Sequence, residues 1–218
     1  MKTLVQDVEG SLRDLTELYI VVKEIVIFSE EIDKDKKADI QILNELRNAF
    51  DHLMRVYASY FQIEREKDEG YIKLHLNKAF GHVYRAGFDS LDKTTLFLRK
   101  YIANEVDGFS PETYQAAFPE YYESIRPEIE EIDNDIAIIR LNKDVGNPNY
   151  DNFRTYVNHM KTLKGYYEVV LKRKASLLEF ENRIKNTERG KDMKTIGEQI
   201  IIGILLVILG GVLKSLFF

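Results

Sequence analysis

No proline occurs in this chain before Pro111, and only Pro119, Pro127 and Pro148 follow it in 218 residues. In the long stretches between such breaks, apolar residues return at three- and four-residue steps, the period of an α-helix. The sequence predicts an all-α fold, an antiparallel helical bundle with short polar turns. A first helix over about residues 4–29 carries Leu12, Leu15, Leu18, Tyr19, Val22, Ile25 and Val26 on one stripe, and EEIDKDKK closes it. A second, over about 38–67, has Leu43, Leu46, Phe50, Leu53, Met54, Tyr57 and Phe61 as its apolar face, and Asp68–Gly70 ends it. A third, over about 71–106, aligns Ile72, Leu76, Phe80, Val83, Leu91, Leu98 and Ile102. Ser110-Pro111-Glu112 reads as a helix start, with serine at the cap and proline at the first helical position. Residues 105–135 form an acidic flank divided by Pro119 and Pro127. After Asn147-Pro148-Asn149, a very long helix begins near Tyr150, with Phe153, Tyr156, Met160, Leu163, Tyr167, Val170, Leu178 and Ile184 on its core side.

The end of the chain breaks this amphipathic rule. From Ile200 to Leu213 there is no polar side chain, and Lys214 is the single charge before Phe218. At ~1.5 Å per residue the nineteen positions from Ile200 to Phe218 reach about 28 Å, close to the hydrocarbon thickness of a bilayer. A C-terminal single-pass transmembrane helix is expected over 200–218, preceded by a basic juxtamembrane segment over 191–199 and a cytosolic bundle over 1–190. The N-terminal residues show no long apolar core of a signal peptide, so targeting is assigned to the tail. Arg183, Lys185, Arg189, Lys191 and Lys194 flank the near side and only Lys214 the far side, which keeps the bundle on the cytoplasmic face of the cell membrane. Between Arg154 and Lys194 there are eleven Lys or Arg against five Asp or Glu, although the whole chain carries a formal charge of −5. Lys172, Arg173 and Lys174, with Arg189, Lys191 and Lys194, suit a lipid surface of anionic headgroups. On a helical wheel Gln199, Gly203, Gly210 and Lys214 fall within about 60°, a small and polar stripe through which spans could associate into a homo-oligomer or line a pore.

There is no cysteine, which excludes disulfides, thiolate zinc sites and cysteine nucleophiles. Four histidines remain, and three of them lie on the second and third helices. Opposite Phe50, at ~100° per residue, Asn48, His52, Arg55 and Ser59 form one band. On the third helix His75, Lys78, His82, Arg85 and Asp89 recur at three- and four-residue steps. If the turn at 68–70 makes the two helices antiparallel, His52 falls level with Arg85, Arg55 with His82, and Asn48 with Asp89. His52, His82 and Asp89 are metal-ligand types, but Arg55 and Arg85 beside them repel a cation, so neither metal nor cofactor is expected. Asp51 stands four residues from both Arg47 and Arg55 and suits an ion pair on a solvated surface.

Arg47-Asn48-Ala49-Phe50-Asp51-His52 resembles the Arg-X4-6-His motif, with a polar residue after the arginine, of the HEPN superfamily of helical-bundle proteins found in prokaryotic defence and toxin systems. The resemblance implies a metal-independent endoribonuclease that works as a dimer, two motifs sharing a cleft. It would give Arg47 the phosphate, Asn48 an orienting role, and His52 the acid or base role at the ribose 2′-hydroxyl. Arg154 to His159 has the same spacing, with Thr155 after its arginine. Two readings follow. In one, a membrane-anchored effector of antiviral defence, switched on by a protein partner or signal, cleaves RNA with Arg47, Asn48, His52, Arg55, His82 and Arg85. In the other, a non-catalytic oligomer disrupts the membrane through its tails.

Overall fold

The computed structural model describes the backbone of residues 2–34, 39–63, 68–146 and 148–217, and the side chains of these from residue 8 to residue 203. Every element among them is helical: α1 (Lys2–Ile32), α2 (Ile40–Tyr60), α3 (Glu69–Val106), α4 (Pro111–Ala117), α5 (Arg126–Leu141) with a π-helical turn at Tyr121–Ile125 leading into it, and α6 (Tyr150–Phe217). The chain is an all-α bundle organised around α3, which packs against α1, α2 and α6, while α4 and α5 lie along α6.

The stripes of α1, α3 and α6 face the core as their spacing predicts except at Tyr19 and Leu178, which are 45 % and 47 % exposed; both lie at the edge of their stripe, and on α6 the neighbouring Leu177 is buried instead. Leu18, Val22, Phe88, Leu91, Leu98, Phe153, Tyr156 and Leu163 are buried together. α3, α1 and α6 meet at Gly87, where a β-carbon would stand 2.6 Å from Val22 Cγ2 and 2.8 Å from the Phe153 ring. Only glycine permits that approach. Ser110 caps α4 as expected, its side chain accepting from the Thr113 amide.

α2 departs from expectation in two ways. Its bulky face is turned outward: Leu43, Phe50, Met54, Tyr57 and Phe61 are exposed, and Leu46 and Leu53 only partly covered. The residues buried against α3 are the smaller Ile42, Ala49, Val56 and Ser59. α2 also ends at Tyr60, not near residue 67. The Ile63 amide donates to Ala58 O (3.0 Å) and the Gln62 amide to Ser59 O (3.1 Å), a Schellman closure with Gln62 in the left-handed region at φ 56°. At the other side of the turn Asp68 caps α3 by accepting from the Tyr71 amide (2.8 Å), so Glu69 and Gly70 are the first helical residues, not a break.

α6 is one continuous helix of 68 residues. At ~1.5 Å per residue it is about 100 Å long. From residue 185 to residue 203 every side chain is exposed except at Gly197, so this stretch projects beyond the bundle. Among the described residues no helix is long and apolar enough to cross a membrane. The expected span over 200–218 falls largely outside the residues whose side chains are described, as do Gly210 and Lys214.

Candidate functional site

Because α2 ends at Tyr60 and α3 starts at Glu69, level residues on the two helices have numbers that sum to about 129. The expected register was two helical turns out. His52 meets His75, not Arg85: their Nδ1 atoms are 2.8 Å apart. His82 stacks on His52, ring centroids 5.3 Å apart, and pairs with Glu45, a residue the sequence reading did not single out. Arg55 stays with Asp51 (2.9 Å), as four-residue spacing suggests, and Asp89 is met by Gln41 (3.3 Å) and Lys143 (3.0 Å) in place of Asn48. Three of the four histidines thus form one cluster, closed at one end by Tyr71, whose ring lies 4.3 Å from that of His75.

Helical spacing explains the cluster. Glu45 and His52 are seven residues apart on α2, and His75 and His82 seven apart on α3, so each pair occupies one face two turns apart. That matched pair of heptad steps was the signal for Glu45 and His75. It becomes usable only once the end of α2 is known.

Glu45 organises the polar end. Its Oε2 accepts from His82 Nδ1 (2.6 Å) and its Oε1 from Arg85 Nη1 (3.0 Å). Burial works to raise the pKa of this carboxyl, but the bonds from His82 and Arg85 outweigh it and hold the pKa below the ordinary value. Donating Nδ1–H to a carboxylate fixes the His82 tautomer and leaves Nε2 to act on something else. His52 and His75 have lowered pKa values. Burial is the leading cause in both; the charges of His75, His82 and Lys78 add to it at His52, and those of Arg55 and Lys78 at His75. Both are therefore neutral imidazoles near pH 7, one donating Nδ1–H to the other.

Beside His82, Lys78 and Arg85 line a shallow groove of about 350 Å³ with Asn77, Gly81 and Gly146. Asn48 is partly buried on the His52 side of α2. Arg47 is exposed and lies about 140° around the helix from His52, so the two ends of the Arg-X4-His motif do not converge within one chain. His159, the end of the second such spacing, lies elsewhere, 3.3 Å from Asp135. No group of three or more described histidine, aspartate and glutamate side chains has metal-ligand geometry. In the basic run of α6, Arg173 pairs with Glu120 (3.0 Å) and Lys174 with Glu105, so two of these three cations are engaged by the acidic flank, while Lys172 is exposed.

Compared with known proteins, the chain matches no family model, no curated protein and no solved structure.

Proposed function

We propose that the chain is a membrane-anchored endoribonuclease that cleaves RNA without a metal at the cluster of His52, His75 and His82, an effector of the HEPN-like kind in prokaryotic antiviral defence. The observation that carries this reading is the 2.8 Å Nδ1–Nδ1 contact of two neutral imidazoles beside a third that a carboxylate orients. Cleavage of RNA needs a base to take the proton from a ribose 2′-hydroxyl and an acid to protonate the departing 5′-oxygen. The 2′-oxygen attacks phosphorus, the P–O5′ bond breaks, and a 2′,3′-cyclic phosphate remains. His82 Nε2, left free of a proton by the Nδ1–H bond to Glu45, serves as base. The member of the His52–His75 pair that accepts at Nδ1, and so carries Nε2–H, serves as acid, with Arg85 and Lys78 at the phosphate in the place the resemblance gives to Arg47. The exposed stretch of α6, with Arg189, Lys191 and Lys194, would meet the anionic surface of the membrane, and residues 200–218 would span it.

The test uses full-length protein in lipid nanodiscs with labelled RNA and excess chelator. Cyclic-phosphate ends are expected, DNA is untouched for want of a 2′-hydroxyl, and His52→Ala slows cleavage by about 100-fold or more. Equal rates for the parent and His52→Ala sink the proposal. The other reading, membrane damage through assembled tails, is favoured by the unbroken helix that links bundle to tail. It predicts that bulky residues at Gly203 and Gly210 abolish activity while His52→Ala does not.

A further inference from the structure

The outward face of α2 is apolar along its whole length. Leu43, Leu46, Phe50, Leu53, Tyr57 and Tyr60 alternate at steps of three and four, the pattern of a coiled-coil seam. Between this seam and α1 runs a trough of two adjoining hollows, about 390 Å³ and about 400 Å³, which share Leu12 and Tyr57 on their walls. Val83 of α3 forms its floor, and Leu15 and Tyr19 its α1 side.

The uncovered area is large. Tyr19, Phe50, Tyr57, Tyr60 and Phe61 are 45, 60, 36, 70 and 62 % exposed. At about 200 Å² per aromatic side chain these five leave roughly 550 Å² in solvent. That already matches the largest apolar patch of an ordinary monomer. Leu43 and Met54, 45 % and 40 % exposed, extend it towards the roughly 800 Å² that each side of a standard interface covers.

The seam also has an internal symmetry. About a point midway between Phe50 and Leu53, Leu43 mirrors Tyr60, Leu46 mirrors Tyr57, and Phe50 mirrors Leu53. Two copies of α2 laid antiparallel about a two-fold axis there bring a leucine against an aromatic in every layer, with no charged side chain in the seam. We infer that α2 and its trough form a homodimer interface, in which α2 of a second copy lies antiparallel on the first, Leu43 against Tyr60 and Leu46 against Tyr57. Self-complementarity is what a two-fold contact requires, and a foreign helix would not demand it. His52 points about 160° away from Phe50 around α2, so each histidine cluster stays complete within one chain and faces outward. The inference does not depend on the nuclease reading.

The chain has no cysteine, so introduced cysteines report the register without background. Full-length Leu43→Cys and Tyr60→Cys are mixed in detergent and oxidised, and likewise Leu46→Cys and Tyr57→Cys. Each mixture is expected to give a disulfide-linked dimer. Leu43→Cys alone gives none, because the two copies of residue 43 stand seventeen residues apart along the pair, about 25 Å. These exposed or half-exposed positions tolerate cysteine without loss of the fold. Phe50→Asp should weaken dimerisation by about 30-fold or more in sedimentation equilibrium, the loss expected for a central anchor. A parent chain that sediments as a monomer at micromolar concentration overturns the inference. So does a dimer that yields no cross-link in either mixture, as one held by its tails or by another face would.

Discussion

Glu45 and Glu181 each tie two helices together with a carboxylate on a helix, and they are held by opposite chemistry. Glu181, on α6, accepts from the Ser110 amide (2.9 Å), the Thr113 hydroxyl (2.8 Å) and the Ser110 hydroxyl (2.9 Å) with one oxygen. Those donors at the start of α4, with Lys185 3.3 Å from the other oxygen, drive its pKa down to about 2. Glu45, on α2, is met by an imidazole and a guanidinium. At Glu181, mostly neutral donors satisfy one anion in full. Around Glu45, His82 and Arg85 bond the carboxylate, Lys78 lies beside them in the same groove, and the adjoining His52–His75 pair is neutral. A fold needs the first arrangement for stability, whereas the second leaves the Lys78 cation beside an ion pair, at the position where the proposed nuclease would hold a phosphate.

Swapping losses between the two sites breaks or sharpens that contrast. The largest expected effect is on catalysis: Glu45→Ala frees the His82 ring and should slow RNA cleavage roughly 100-fold, while Glu181→Ala leaves the rate per folded molecule unchanged. Cleavage rates normalised to folded protein by circular dichroism decide it; an equal loss in both variants would erase the distinction. Next comes stability. Thr113 is fully buried, and Thr113→Val removes one donor to Glu181, so urea unfolding should show a loss of ~1–3 kcal/mol. Arg85 is about one-third exposed, and Arg85→Met should cost only ~0–1 kcal/mol, because a partly solvated ion pair contributes little. A larger loss from Arg85→Met than from Thr113→Val would make the Glu45 site the structural one.

The same contrast explains what could be read from the chain. α1, α3 and α6 were legible because most of each apolar stripe fills the core, with only the edge positions Tyr19 and Leu178 left exposed, and Ser110-Pro111 marks the α4 start plainly. α2 has two usable faces, and the reading chose the bulky one. Burial went to Ile42, Ala49, Val56 and Ser59 because their band carries Glu45 and His52 to α3. The register failed for a local reason: a Schellman closure usually announces itself with glycine, and here Gln62 occupies the left-handed position. Without that stop, His52 was set against Arg85 and the His52–His75 contact stayed hidden. The heptad pairs 45/52 and 75/82 were present in the sequence all along, but they identify a site only when the turn between them is measured.

The smallest effect is the most discriminating, because the histidine pair and the two carboxylates titrate in different windows. The folded-state pKa values of His52 and His75 are lowered, so the unfolded chain binds protons first as pH falls through about 6.5. Their contribution to stability is full above that value and is lost on acidification below it. Glu181 is also lowered, from 4.5 to about 2, but as an acid: its contribution is full above about pH 4.5 and is lost as pH falls towards 2. Thermal unfolding across pH 7.5 to 3 should therefore show two separate declines. His52→Gln with His75→Gln should flatten only the upper one, and Glu181→Gln should reduce only the lower, to which Glu45 also contributes. If the upper decline survives in the histidine double variant, the pair is not the group that acidification charges. The pair would then take up protons in the same range folded and unfolded, and its burial between α2 and α3 would contribute nothing that acid removes.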